Sequence, residues 1–388
     1  MHSNDSDAIK LLSDIIAFPS IAGSSNLALI AYLENLLATH GAVCHRVYSP
    51  DGTRSNLYAT IGPMVEGGIV LSGHTDVVPT EGQSWTSDPF KLTERSGKLY
   101  GRGTCDMKGF LACALSLLPT MAAANLKRPV HFAFSYDEEL GCLGAPSMIE
   151  EMARALPTPL AVVVGEPTQN RVVSSHKGCL DFTTTVRGQS IHSSLNHRGV
   201  NAISYAAKLI GWLDDRQAYC AANTPPSDVL DPPFTTFHCG LINGGTASNI
   251  VPSRCVFTTD IRSAPHDNAL DHLAAYRRLV EEDLLPGMHR ISPGCGIDIE
   301  VQAHIPAFDL DSGSPAEALL RRLTGDNAIR AKGSVTEAGQ FQKAGFSTVI
   351  CGPGSIEQAH LADEFVTRAD IEKSTQILMD LVQTLVSA

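Results

Sequence analysis

Five short apolar runs in this chain are each followed, within a few residues, by side chains of the kind that hold metal ions. Residues 67–73 lead to His74 and Asp76, 99–105 to Asp106, 130–136 to Asp137, Glu138 and Glu139, 161–165 to Glu166, and 347–354, slightly further on, to His360. Apolar runs of this length read as buried strands. Ligands of open α/β sheets bind beyond the carboxyl ends of the strands, so donors placed there in series can converge on one crevice. The pattern calls for a sheet that gathers its strand ends at one edge.

The rest of the chain supplies helices for such a sheet. Helical spacing is present at 7–17, 26–40, 109–118 and 145–156, alternating with apolar runs at 55–61, 68–72, 130–135 and 161–165. That alternation predicts an α/β layer covered on both faces. The character changes near Gly178. A half-buried strand at 180–187, a helix at 201–215, strands at 235–241 and 254–261, a helix at 268–282 and a strand at 296–304 make a βαββαβ, ferredoxin-like order. A Pro/Asp-rich loop, 224–233, lies inside it. The α/β pattern then resumes, with helices at 317–323 and 370–386 and a strand at 347–351. We expect a catalytic domain formed by 1–179 and 304–388, interrupted by an inserted domain at 180–303. A chain of 388 residues is long enough for about two domains.

Charge and cysteine usage narrow the partners. The chain has 29 Lys and Arg against 41 Asp and Glu, a net charge of −12, and no basic cluster that could track phosphates. Nucleic acid and anionic membrane are poor partners for such a surface. Its ten cysteines are scattered without a CxxC pair, which predicts reduced thiols and a cytoplasmic home. The acidic start, Met1 to Asp5, has no basic leader region, and the most apolar stretch, 111–124, is shorter than the ~20 residues of a membrane helix.

Each donor has an ordinary reading when taken singly. His74 could be a satisfied strand-end histidine, Asp106 a helix N-cap, and Asp137-Glu138-Glu139 an acidic helix start favoured by the dipole. Glu166 could open a turn, and His360 could be a plain loop histidine. Spacing weighs against this for His74 and Asp76: two apart on extended backbone, they point the same way, and a metal-bound histidine needs a partner to fix its tautomer. The glycines around Asp106 do not make a dinucleotide fingerprint, because Asp106 stands where that motif needs glycine. Two histidines with several carboxylates suit zinc and similar divalent ions.

Taken together, Ser72-Gly73-His74-Thr75-Asp76-Val77-Val78-Pro79, Gly101-Arg102-Gly103-Thr104-Cys105-Asp106-Met107-Lys108-Gly109, Asp137-Glu138-Glu139-Leu140-Gly141-Cys142-Leu143-Gly144 and Gly165-Glu166-Pro167-Thr168 resemble the zinc metallopeptidases and deacylases of metallopeptidase family M20. The resemblance spans nearly the whole chain. It implies a zinc-peptidase-like catalytic domain, a mixed sheet flanked by helices, with the ferredoxin-like insertion serving as lid and dimerisation domain. It also implies two zinc ions per subunit, with cobalt a possible substitute. Asp106 would bridge them, His74 and Glu166 would complete one site, and Glu139 and His360 the other. Glu138 would be the general base, Asp76 would orient His74, and the Asp106–Met107 peptide would be cis.

Further motifs follow from the same resemblance. Val186-Arg187-Gly188-Gln189-Ser190-Ile191-His192 resembles the segment whose histidine stabilises the oxyanion, supplied in relatives by the partner subunit of a homodimer. Asn249 and Arg262 resemble contacts to a substrate carboxylate; their ordinary readings are a turn Asn and a strand-edge Arg. The segments around Glu337 and Gly339, and around Glu357 and His360, resemble the acetylornithine deacetylases of the family more than its desuccinylases. Glu337 or Glu357 could pair with the distant ammonium of an ornithine side chain. The expected substrate is thus a small N-acyl amino acid, N2-acetyl-L-ornithine first, with desuccinylase, aminoacylase, dipeptidase or carboxypeptidase activity as alternatives.

Overall fold

The computed structural model describes residues 3–227 and 229–386. Met1 and His2 of the acidic start, Asp228 of the Pro/Asp-rich loop and the last two residues lie outside it. The chain divides into two compact units. The larger runs to Ser174 and takes up the chain again at 310–330 and from Thr336; the smaller comprises 175–309 and 331–335.

The larger unit is built on a six-stranded mixed sheet. Its strands lie in the order Val43–Tyr48, Ser55–Ile61, Val130–Ser135, Ile69–His74, Ala161–Val164, Thr348–Ile350. The first two pairings are antiparallel. The last three are parallel, so Ile69–His74 and its neighbours end at the same edge. Every residue of Ser55–Ile61, Ile69–His74, Val130–Ser135 and Ala161–Val164 is buried, as strands covered on both faces must be. The edge strand Val43–Tyr48 is largely solvated. Its polar residues His45 and Arg46 gave no apolar run, so the sequence pattern did not reveal it.

The helix predicted at 109–118 is Lys108–Ser116, and a second short helix, Leu118–Ala123, follows it. Pro119 sits in the first turn of the second, where its missing N–H costs nothing. Lys108–Ser116 is buried at every residue. Its Lys108 Nζ donates to the carbonyls of Ile15 and Phe18 at 3.2 and 2.8 Å, tying the end of the first helix to the centre of the unit. Helix Pro315–Thr324 shows its limits in the sequence: Ser314 Oγ accepts from Glu317 N, and Gly325 closes the helix at φ +69°.

The smaller unit holds a four-stranded antiparallel sheet in the order Thr236–Gly244, Arg254–Arg262, Cys179–Arg187, Gly296–Ile305. Helices Ala202–Asn223 and Ala269–Arg278 fall between the strands to give the βαββαβ order. Leu180, Phe182 and Val186 alternate into a core shared with Ala206, Leu209, Leu213 and Tyr276. The second helix does not run straight to 282 but passes into a π-helical turn, Leu279–Leu284. Among the described residues no helix is long and apolar enough to cross a membrane.

Candidate metal centre

Parallel pairing places His74 at the end of its strand, opposite Ser135 of the strand that precedes Asp137, Glu138 and Glu139. Glu166 follows the end of Ala161–Val164 by two residues. A side chain at Gly165 would meet the Phe110 ring, its Cβ 1.9 Å from Cγ, so glycine lets this segment pass close to the buried helix that follows Asp106.

These donors meet. His74 Nε2 lies 3.0 Å from Asp106 Oδ1 and 3.8 Å from Glu166 Oε1. His360 Nε2 lies 3.5 Å from Asp106 Oδ2 and 3.0 Å from Glu139 Oε2. Asp106 therefore faces one histidine with each carboxylate oxygen. Donor atoms of His74, Glu138 and Glu166 form one group within 4.8 Å of one another, and those of His74, Asp106 and Glu139 a second. His74, Asp106 and Glu166 are buried, whereas the His360 side chain is 52 % exposed. The Asp106–Met107 peptide is cis.

Crowded carboxylates in a buried space resist ionisation. Burial, followed by the nearby Glu166, pushes the Glu138 carboxyl well above its usual range. Burial likewise raises Glu139 to about 7. Burial alone would lower the His74 imidazole, but its hydrogen bond to Asp106 and the surrounding carboxylates carry it well above its usual value. Hydrogen bonds to Asp106 and Glu139 raise His360 to about 10. Crowding and burial thus favour the protonated forms of these groups. Divalent ions would replace those protons, and the donors present, two imidazole nitrogens and several carboxylate oxygens, match zinc-type ions.

The supporting contacts differ in part from the sequence expectation. His74 Nδ1 bonds the main-chain carbonyl of Asp76 at 2.9 Å, while the Asp76 carboxylate stands 3.7 Å away. That carboxylate accepts from Glu138 N and Glu139 N, both at 3.2 Å, so it holds the backbone of the acidic run. Asp137 anchors the same run from its other side, accepting from Gly23 N at 2.8 Å and pairing with Arg54. The Cys142 thiol donates to Glu138 Oε1 at 3.3 Å.

Two residues of this support went unnoticed in the sequence. The Glu364 carboxylate accepts from Gly103 N, Cys105 N and Asp106 N at 3.1, 2.8 and 3.0 Å and pairs with Arg102 NH1 at 2.7 Å. It fixes the loop that presents Asp106. Arg102 and Glu364 are each 1 % exposed; Arg102 stood inside the glycine-rich motif, whereas Glu364 lay four residues past His360, outside every motif.

Among the other singled-out residues, Glu337 borders the donors, close enough to His74, Glu166 and Asp76 to feel their charges. Glu337 is buried, with Oε2 3.4 Å from Ser72 Oγ, and burial raises its carboxyl to about 7. Gly339 is buried in the short helix Ala338–Lys343, and Glu357 is exposed. In the smaller unit, His192 is exposed and its Nδ1 receives Ser194 N at 3.2 Å, which leaves the ring proton on Nε2. Asn249 accepts Ser193 N on its carbonyl at 2.9 Å, and Arg262 gives its Nε to Asp260 at 2.8 Å. Two further donor groups, Cys220–Asp267–His272 and Cys179–Asp181–Asp260, also fall within 4.8 Å. The first is organised around Asp267, which takes His272 Nε2 at 2.7 Å and the Thr235 hydroxyl at 2.5 Å; in the second, Asp260 serves Arg262.

The fold has close relatives in shape. The M20 family metallo-carboxypeptidase Sso-CP2 from Sulfolobus solfataricus superposes with a TM-score of 0.76 at 18 % identity, over 98 % of this chain and 100 % of its own. The YXEP protein of Bacillus subtilis, a dinuclear metal binding peptidase, gives 0.67 at 15 % identity, over 100 % and 99 %. In sequence the chain is 36 % identical to the acetylornithine deacetylase of Proteus mirabilis over 97 % of this chain and 96 % of the relative. It is 35 % identical to that of Photorhabdus laumondii over 96 % of each. Fold, donors and relatives define the class: a metal-dependent amide hydrolase. The model of the family described as Peptidase family M20/M25/M40 matches residues 70–384, and the chain belongs to that family.

Proposed function

We propose that this enzyme removes the acetyl group from N2-acetyl-L-ornithine at a centre of two zinc ions. The observation that carries the reading is Asp106, whose two oxygens each face a different histidine, His74 at 3.0 Å and His360 at 3.5 Å. A carboxylate so placed suits a bridging ligand, with Glu166 beside His74 and Glu139 beside His360. Zinc held there would supply Lewis acidity, polarising an acyl oxygen and making water acidic enough to react near neutral pH.

The remaining chemistry falls to side chains. Glu138 takes the proton of the attacking water and returns it to the amine nitrogen as the C–N bond breaks, giving acetate and the free amino acid. Asp76 holds the Glu138 and Glu139 amides and so fixes where both carboxylates begin. His192, with its proton on Nε2, is suited to donate to an oxyanion. His192→Ala is expected to cut turnover ~10²–10³-fold at unchanged metal content; near-normal turnover would remove that role. Arg262 and Asn249 are assigned to the substrate carboxylate, and Glu337 and Gly339 to the side-chain end. The deacetylase relatives and the segments around Glu337 and Glu357 favour ornithine. Stripping metal with a chelator, restoring zinc or cobalt, and assaying N-acetylornithine beside N-succinyl-diaminopimelate tests the assignment. Metal-restored preference for the acetyl substrate supports it, and preference for the succinyl substrate would move the enzyme to the desuccinylases.

The assembly we propose is a homodimer through the smaller unit. Strand Thr236–Gly244 is the outermost strand of its sheet, with no further strand on its outer side among the described residues, and carries Leu241 and Ile242, 71 % and 56 % exposed. Beside it lies a hollow of about 650 Å³ lined in part by Ile203, Ile250 and Pro252. Exposed apolar edges invite pairing. Leu241→Lys should shift the solution mass from dimer to monomer, and a wild-type monomer would end the proposal. Ten free cysteines, eight of them buried, support a reducing, cytoplasmic setting.

A further inference from the structure

His360 is the donor with the least burial to hold it. Its backbone is left-handed at φ +65°, a conformation that residues other than glycine adopt at some cost. The structure shows a strap from the segment after His74: Gln83 Nε2 donates to the His360 carbonyl at 2.7 Å. The other end of the same amide is fully engaged. Gln83 Oε1 accepts from Trp85 Nε1 at 3.1 Å and from Arg102 NH2, and the Arg102 guanidinium also lies 5.1 Å over the Trp85 ring. Arg102 reaches the Leu361 carbonyl at 3.3 Å and holds Glu364, which in turn gathers the Asp106 loop. These partners fix the amide's orientation, since its oxygen must face two donors and its nitrogen a carbonyl.

We propose that Gln83 is a positioning residue for His360, and that the chain Gln83–Arg102–Glu364 keeps His360 in register with Asp106 and thereby sets how tightly the metal on the His360 side is held. The inference rests on the two-metal reading given above. Contacts of this kind, one shell out from a ligand, typically alter metal affinity ~10–100-fold. No proton or electron moves in this role; Gln83 acts through geometry alone.

The test uses the full-length protein loaded with zinc alone, then mixed with excess chelator while zinc release is followed. Gln83→Glu keeps an acceptor for Arg102 and Trp85 but replaces the donor to His360 with a carboxylate oxygen, and Gln83→Leu removes both. His360→Ala identifies the release phase that belongs to its side. We expect both Gln83 variants to speed that phase about 10-fold while the other phase and the thermal midpoint of the metal-free Gln83→Glu protein stay put. In the His360→Ala background, Gln83→Glu should add nothing. Superposable release curves for wild type and Gln83→Glu, or acceleration of both phases alike, would overturn the role of Gln83 and leave the metal centre standing. Failure of the wild type to retain two equivalents of zinc would instead overturn the metal-centre reading itself.

Discussion

Glu138→Gln is expected to abolish most turnover, ~10²–10⁴-fold, while the protein still folds and keeps its full complement of metal. The geometry explains why the two properties separate. On the proposed ligand set, Asp106, Glu139, Glu166, His74 and His360 remain to hold the ions, and the Glu138 amide is still fixed by Asp76. An amide side chain of the same shape can still accept from the Cys142 thiol but cannot accept the proton of an attacking water. Burial and the adjacent Glu166 push the Glu138 carboxyl above its usual range, the direction expected of a carboxylate proposed to take up and return a proton. Steady-state kinetics together with metal analysis check this. A metal-replete Glu138→Gln enzyme with near-normal turnover would mean that another group moves the proton.

Glu364→Ala should have the larger structural effect. Its carboxylate serves three main-chain N–H groups on the loop bearing Asp106 and balances Arg102, and both partners are sealed from solvent. Removing one partner of a buried, hydrogen-bonded pair leaves the other charge without compensation, at a cost of about 3–5 kcal/mol. The loop would lose its template at the same time, so metal affinity should fall ~10–100-fold. Chemical denaturation of the metal-free protein reads the first effect and zinc titration the second. A loss under about 0.5 kcal/mol with unchanged zinc affinity would show that Arg102 and the loop amides find equivalent partners without Glu364.

What the sequence revealed and what it hid follow from the range of the interactions. The strands ending at His74 and Glu166 were legible because buried strands leave continuous apolar runs and donors at their ends are local features. The βαββαβ order of the smaller unit was legible for the same reason, since Leu180, Phe182 and Val186 alternate against Asp181, Thr183 and Thr185. Asp76 shows where local reasoning stops. Equal sidedness of positions two apart holds only along a strand, and this strand ends at His74. Beyond it the chain leaves the sheet, delivering the Asp76 carbonyl to His74 and its carboxylate to the Glu138 and Glu139 amides. Glu364 and Gln83 were invisible for another reason. Their partners lie 258 and 277 positions away along the chain, and no local pattern distinguishes a carboxylate that collects backbone amides from one that meets water. The short helix Leu118–Ala123 was hidden because it continues the same apolar stretch as Lys108–Ser116.

The central claim is that imidazoles and carboxylates from five distant segments hold two divalent ions around Asp106. Anomalous diffraction at the zinc edge, from crystals of the zinc-loaded protein, tests it directly. The account predicts two strong peaks that share Asp106, one contacted by His74 and Glu166 and the other by Glu139 and His360. Zinc density confined to the Cys220, Asp267 and His272 group, or none near Asp106, would contradict it.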